Sequence, residues 1–199
     1  KYMGDRSKEL DSLFTEAEKH DKAIIFFDEF DSVASKRGDG TSGVDAEMAR
    51  FVATFLTKVD GFKPSANKML LLIAATNRPW ALDSAMLRGG RFDTQIYVGV
   101  PDQAAREFLV RKVLDGIDME DDVDLSKLAY VLKGYGGGDV TAICERIKLE
   151  PYKREVSTGQ PQKITRDDCN KVLTNSRNVI TQELIDKFIA YRNGTYSGE

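Results

Sequence analysis

Five consecutive apolar residues, Ala23-Ile24-Ile25-Phe26-Phe27, stop abruptly at two adjacent carboxylates, Asp28-Glu29. An apolar run without alternation reads as a strand covered on both faces, the habit of parallel sheets sheltered by crossover helices. Met69 to Ala75 repeats the pattern, and Thr94 to Val98 is expected to form a third strand. Helical spacing appears in between. Leu10, Leu13, Phe14 and Ala17 share one face of Ser7–Lys19, and Met48, Val52, Phe55, Leu56 and Val59 mark a second amphipathic helix. Gly61 stands where a helix-ending glycine belongs. Strands alternating with helices predict an α/β fold with a partial doubly wound parallel sheet.

Past Pro101 only helical periodicity remains, in Gln103–Leu114, Leu125–Lys133, Val140–Glu155, Thr165–Ser176 and Thr181–Arg192. The expected organisation is therefore an α/β part over 1–101, a small all-α domain over 102–178 and a C-terminal helix and tail over 179–199, with Gly99 to Asp102 as boundary and hinge. A net charge of -3 supplies no broad cationic field, so a dedicated nucleic-acid surface is not expected. No apolar run approaches the roughly 20 residues of a membrane helix. Residues 1–20 lack a signal peptide's apolar stretch, so the expected compartment is the cytoplasm. Cys144 and Cys169 read as reduced packing residues, and His20 as a helix-end residue. Gly134 to Gly138 follows a helical pattern where a dinucleotide fingerprint requires a strand.

The chemistry gathers where the strands end. Carboxylates at the C-terminal edge of a parallel strand face the usual ligand crevice of such a sheet. Asp28 suits Mg²⁺, a hard ion that takes oxygen ligands and keeps several waters. Glu29 can orient a water attacking a γ-phosphate and accept its proton. Alone, such acids equally well cap the next helix. Asn77, in Ala74-Ala75-Thr76-Asn77-Arg78-Pro79, would emerge beside them if the two strands are neighbours, its amide able to hold that water. Arg88 and Arg91 lie on a glycine-loosened loop, and guanidinium matches phosphate in a bidentate way.

In this order the motifs resemble the AAA family of ATPases over almost the whole chain. Ile24 through Glu29 is similar to its Walker B strand, Ala75 through Pro79 to its sensor 1 strand end, and Leu87 through Asp93 to its arginine-finger segment. The resemblance implies that ATP and Mg²⁺ are the cofactors, that Glu29, Asn77, Arg88 and Arg91 are catalytic, and that Asp28 holds the metal. It further implies that the two arginines reach a neighbouring subunit's nucleotide, in a closed ring that is usually a hexamer of identical subunits. Gly134-Tyr135-Gly136-Gly137-Gly138-Asp139 resembles the family's Gly-Phe-Ser-Gly-Ala-Asp segment, which opens a lid helix beside the base and implies cofactor binding at Gly137 and Gly138. Glycine replaces the family's Ser at 136 and Ala at 138. Lys1-Tyr2-Met3-Gly4 is similar to the pore loop that grips a threaded polypeptide, which makes Tyr2 and Met3 substrate-binding candidates. Lys36 to Val44 stands where the family has a second pore-facing loop. Pro79 to Asp83 and the terminal helix resemble the katanin, spastin and ESCRT-disassembly branch, whereas Gly89 to Asp93 resembles the unfoldase branches.

One motif is absent: the 199 residues contain no Gly-x-x-x-x-Gly-Lys-Ser/Thr run, whose backbone amides cradle phosphates. The family places that loop upstream of the pore loop, so the chain is expected to be part of a longer ATPase that remodels proteins. A non-catalytic AAA-like scaffold is the alternative. Without the loop, isolated 1–199 is expected to bind ATP negligibly and not to hydrolyse it, because two carboxylates at the sheet edge repel a polyphosphate. Titration of 1–199 with labelled ATP and Mg²⁺ checks this. Micromolar binding at one site per chain would contradict it.

Overall fold

The computed structural model describes residues 6–35, 43–62 and 67–197. The chain divides into two compact units, the first running up to Ile96 and the second formed by Tyr97–Tyr196.

In the first unit the order is α1 (Arg6–Ala17), β1 (Lys22–Phe27), α2 (Asp31–Ala34), α3 (Gly43–Gly61) and β2 (Met69–Ala74), followed by 3₁₀ turns at Pro79–Ala81 and Ser84–Leu87. The two strands pair in parallel, from Lys22 opposite Met69 to Phe27 opposite Ala74. Because successive strand side chains point to opposite faces, this register collects Ala23, Ile25, Phe27, Leu70, Leu72 and Ala74 on one face. They pack with Leu10, Phe14, Phe30, Phe51, Phe55 and Met86. Phe14 meets Phe55 edge-on, and Phe92 stacks on Phe55 at 5.5 Å between ring centres.

Three expectations are corrected here. Neither strand is covered on both faces among the described residues, since Ile24, Phe26, Met69, Leu71 and Ile73 are 42–65% exposed. An unbroken apolar run reports that both faces avoid water but not which residues cover them. Thr94–Val98 is not a strand either: it has no ladder partner among the described residues, and Ile96 and Val98 are 83% and 87% exposed. Alternating apolar residues are insufficient without a neighbour offering N–H and C=O groups. Leu13, expected on the buried face of α1, is 50% exposed, because Leu10, Phe14 and Ala17 carry the packing.

The second unit holds α4 (Gln103–Leu114), α5 (Leu125–Val131), α6 (Gly137–Thr158), α7 (Arg166–Thr174) and α8 (Gln182–Arg192). Val110, Leu114, Leu128, Leu132, Val140, Ile143 and Ile147 form its own core. Helix starts are marked by side chains that satisfy free N–H groups. Asp102 accepts from Ala105 N, Asp124 from Lys127 N and Thr181 from Leu184 N. Thr165 and Asp168 cap α7 reciprocally. Gly159 closes α6 at φ +67°, a left-handed conformation that glycine adopts without a Cβ clash.

Candidate active site

The site grows out of the strand register. With Phe27 opposite Ala74, the next residues of both strands leave the sheet at the same C-terminal edge, so Asp28-Glu29 and Ala75-Thr76-Asn77 are neighbouring strand ends. The connection is locked by backbone bonds: Ala75 N donates to Phe27 O at 2.8 Å, and Phe30 N donates to Ala75 O at 2.9 Å. Phe30 is fully buried, which pins the chain immediately after the two acids.

Between those anchors Glu29 turns with φ +47°, and among the described residues it is the one non-glycine with positive φ. Such a conformation costs on the order of 1–3 kcal/mol and persists where its surroundings enforce it. Here Asp28 Oδ1 accepts from Glu29 N at 2.9 Å, and Glu29 O accepts from Ser32 N at 2.8 Å as α2 begins. The result presents an exposed Glu29 side chain at the sheet edge, next to an exposed Asp28. Asp28 Oδ2 has no partner among the described residues. One free carboxylate oxygen fits Mg²⁺, which is commonly held by one or two carboxylates together with substrate phosphates. No group of three or more His, Cys, Asp or Glu residues suited to hold a metal occurs among the described residues.

Asn77 is exposed at the end of β2. Two residues not singled out from the sequence hold its approach. Thr76 Oγ1 donates to Asp31 Oδ1 at 2.6 Å and accepts from Arg78 N at 2.9 Å, which ties the β2 exit to the first turn of α2. The signal was the third acid of Asp28-Glu29-Phe30-Asp31, placed to open the short helix.

The arginine loop is equally built. Asp83 caps the turn through Ala85 N at 2.8 Å, Phe92 N donates to Met86 O at 3.1 Å, and Met86 is fully buried. Gly90, at φ +82°, reverses the chain in a conformation a side chain would strain. Arg88 is exposed. Arg91 instead turns inward: Nε and Nη2 donate to the Asp60 carboxylate at 3.2 and 2.7 Å, and Nη1 donates to Ala85 O at 2.7 Å. The hydrogen-bonded Asp60 carboxylate raises the Arg91 pKa, and the Arg91 guanidinium lowers that of Asp60. Asp60 had no signal in the sequence beyond an acid at a helix end.

Gly137 and Gly138 form the first turn of α6 in the second unit. A Cβ at Gly136 would lie 2.9 Å from Ile180 Cδ1, so the serine of the family pattern has no room there without a shift. At Gly138 a Cβ meets nothing within 4 Å. Tyr2 and Met3 lie outside the described residues, as do 36–42 of the expected second loop. Burial pushes the Cys144 thiol up to about 12 and the Cys169 thiol to about 11, in keeping with packing roles. No helix among the described residues is long and apolar enough to cross a membrane.

A family model described as "ATPase family associated with various cellular activities (AAA)" matches residues 1–100. The chain is 38% identical over 155 residues to the proteasome-activating nucleotidase of Methanosarcina mazei, covering 78% of this chain and 36% of that protein. It is 35% identical over 187 residues to the cell division cycle protein 48 homolog of Archaeoglobus fulgidus, covering 88% and 25%. With the ATP-dependent zinc metalloprotease FtsH of Caulobacter vibrioides it shares 34% over 200 residues, covering 98% and 31%. The chain thus spans 25–36% of the length of these relatives.

Proposed function

Because the chain belongs to the AAA family, we propose that it carries the hydrolysis half of an ATPase site whose phosphate-binding loop lies elsewhere in the protein, and that a ring of identical subunits, a hexamer, uses the site to remodel polypeptides. The observation that carries this reading is the pairing of Phe27 with Ala74, which delivers two acids and an amide to one sheet edge. Asp28 holds Mg²⁺, which supplies charge neutralisation at the phosphates. Glu29 orients the attacking water and takes its proton, while Asn77 holds that water in line. Arg88 and Arg91 come from the neighbouring subunit and stabilise charge on the phosphoryl group in flight. Gly137 and Gly138 lie against the nucleotide at the start of a lid formed by 102–178, and Tyr2 and Met3 grip the polypeptide. The setting is cytoplasmic, and the remodelling role draws on relatives named as a proteasome-activating nucleotidase and a cell division cycle protein.

The rival is a non-catalytic scaffold, favoured by the lack of a phosphate loop within the 199 residues. ATP turnover and reporter unfolding by the complete protein separate the two. We expect hydrolysis and unfolding together, with Tyr2→Ala impairing unfolding while basal hydrolysis persists. Equal loss of both in Tyr2→Ala removes the gripping role. No hydrolysis by the unaltered complete protein supports the scaffold.

A further inference from the structure

Arg88 and Arg91 sit three residues apart on one loop and differ in what they touch. A guanidinium carries five N–H donors. Three of those of Arg91 are engaged inside its own chain, on the Asp60 carboxylate and the Ala85 carbonyl. Its side chain is only 18% exposed. Asp60 occupies the penultimate position of α3, where the negative end of the helix dipole disfavours a carboxylate. The cation across from it relieves that conflict. The Arg88 side chain makes no hydrogen bond or ion pair to a described residue and stands in solvent.

The geometry between them is that of a brace. Arg91 N donates to Arg88 O at 3.1 Å, so the backbone of Arg88 is coupled directly to the residue that α3 holds. On the far side Phe92 is packed among Phe30 and Phe55, at 5.0 and 5.5 Å between ring centres. A neighbouring phosphate would have to compete with Asp60 for Arg91, whereas Arg88 is free to meet it.

We propose that Asp60 and Arg91 form a positioning pair that fixes the 86–92 loop, so that Arg88 alone delivers positive charge to the nucleotide of the adjacent subunit. The inference rests on the ring ATPase reading above and divides labour between two residues which that reading treats alike. It also assigns a role to Asp60, which belongs to none of the motifs.

The experiment uses the complete ring-forming protein with Asp60→Asn, Arg91→Ala, Arg91→Lys and the double variant Asp60→Asn/Arg91→Ala. Steady-state ATP turnover is measured after ring assembly is verified. If Arg91 touched phosphate itself, removing the Asp60 charge would release it, and turnover would hold or rise. A brace predicts the opposite: kcat falls about 10- to 100-fold, the scale of a small misplacement of a catalytic group, with KM unchanged. The double variant should be no worse than the weaker single, since both remove one device. Arg91→Lys keeps a cation but loses the two-pronged fork, so it should fall as far as Arg91→Ala, and it decides the question if Asp60→Asn rings do not assemble.

Mixing adds a readout that simple destabilisation does not move. Asp60→Asn subunits should regain turnover when mixed with Glu29→Gln subunits, and should not when mixed with Arg88→Ala subunits. Wild-type turnover in Asp60→Asn, additive losses in the double variant, or recovery in Arg91→Lys would each overturn the proposal. Failure of the underlying reading looks different, because Glu29→Gln and Arg88→Ala would then both leave turnover unchanged.

Discussion

Replacing Glu29 by Gln in the complete protein is expected to lower ATP turnover by about 10²-fold or more while leaving ATP binding intact, the usual scale for loss of a general base. That factor corresponds to about 2.7 kcal/mol of activation free energy. The structure makes the test clean. Glu29 is held at φ +47° by its backbone, through Asp28 Oδ1 on its N–H and Ser32 N on its carbonyl. Neither bond involves the side-chain carboxylate. Gln therefore inherits the same conformation, leaves Asp28 available to the metal and removes only the proton acceptor. Steady-state hydrolysis and nucleotide titration on the same preparation check both halves. Turnover equal to wild type would take Glu29 out of the mechanism. Loss of binding together with turnover would show that the change reached beyond the base.

The acids and the amide were legible because each follows the end of an apolar run, and a run's end is visible in one dimension. Their adjacency was conditional until the register of Phe27 with Ala74 was known, since neither strand names its neighbour. The helical unit was legible almost element by element: Gln103–Leu114 has the limits expected from periodicity. What could not be read were relations between distant residues. Asp60 and Arg91 are 31 positions apart, and a lone acid at a helix end carries no mark of its partner. Thr76 and Asp31 are 45 apart and equally silent. Thr94–Val98 failed for a related reason, as strand formation depends on a partner that the segment's own pattern does not encode. The half-exposed sheet face carrying Ile24, Phe26, Leu71 and Ile73 belongs to the same class. Apolar composition demanded cover, and none of the described residues provides it.

The second large effect is expected from removing both arginines. Arg88→Ala/Arg91→Ala should reduce turnover by about 10³-fold or more, the range found when a charge-stabilising arginine is lost from phosphoryl transfer. Magnitude alone does not locate the arginines, because a residue serving its own subunit would give the same loss. Mixing does. A ring containing Glu29→Gln subunits beside double-arginine variants has some interfaces at which an intact Glu29 faces intact arginines supplied from next door. Partial turnover should therefore return in mixtures of two proteins that are each inactive alone. The inward fork of Arg91 onto Asp60 bears on how much returns, since the charge meeting the phosphate would come from Arg88. An Arg88→Ala subunit should therefore complement Glu29→Gln as well as the double variant does. Mixtures confirmed to contain both subunit types that stay inactive at every ratio would leave two accounts, arginines acting within their own subunit or a ring that needs every site intact. Titrating wild-type subunits into Glu29→Gln rings separates them: turnover proportional to the wild-type fraction points to independent sites and arginines in cis, whereas a steep collapse with the first inactive subunit points to a ring that fires only when complete.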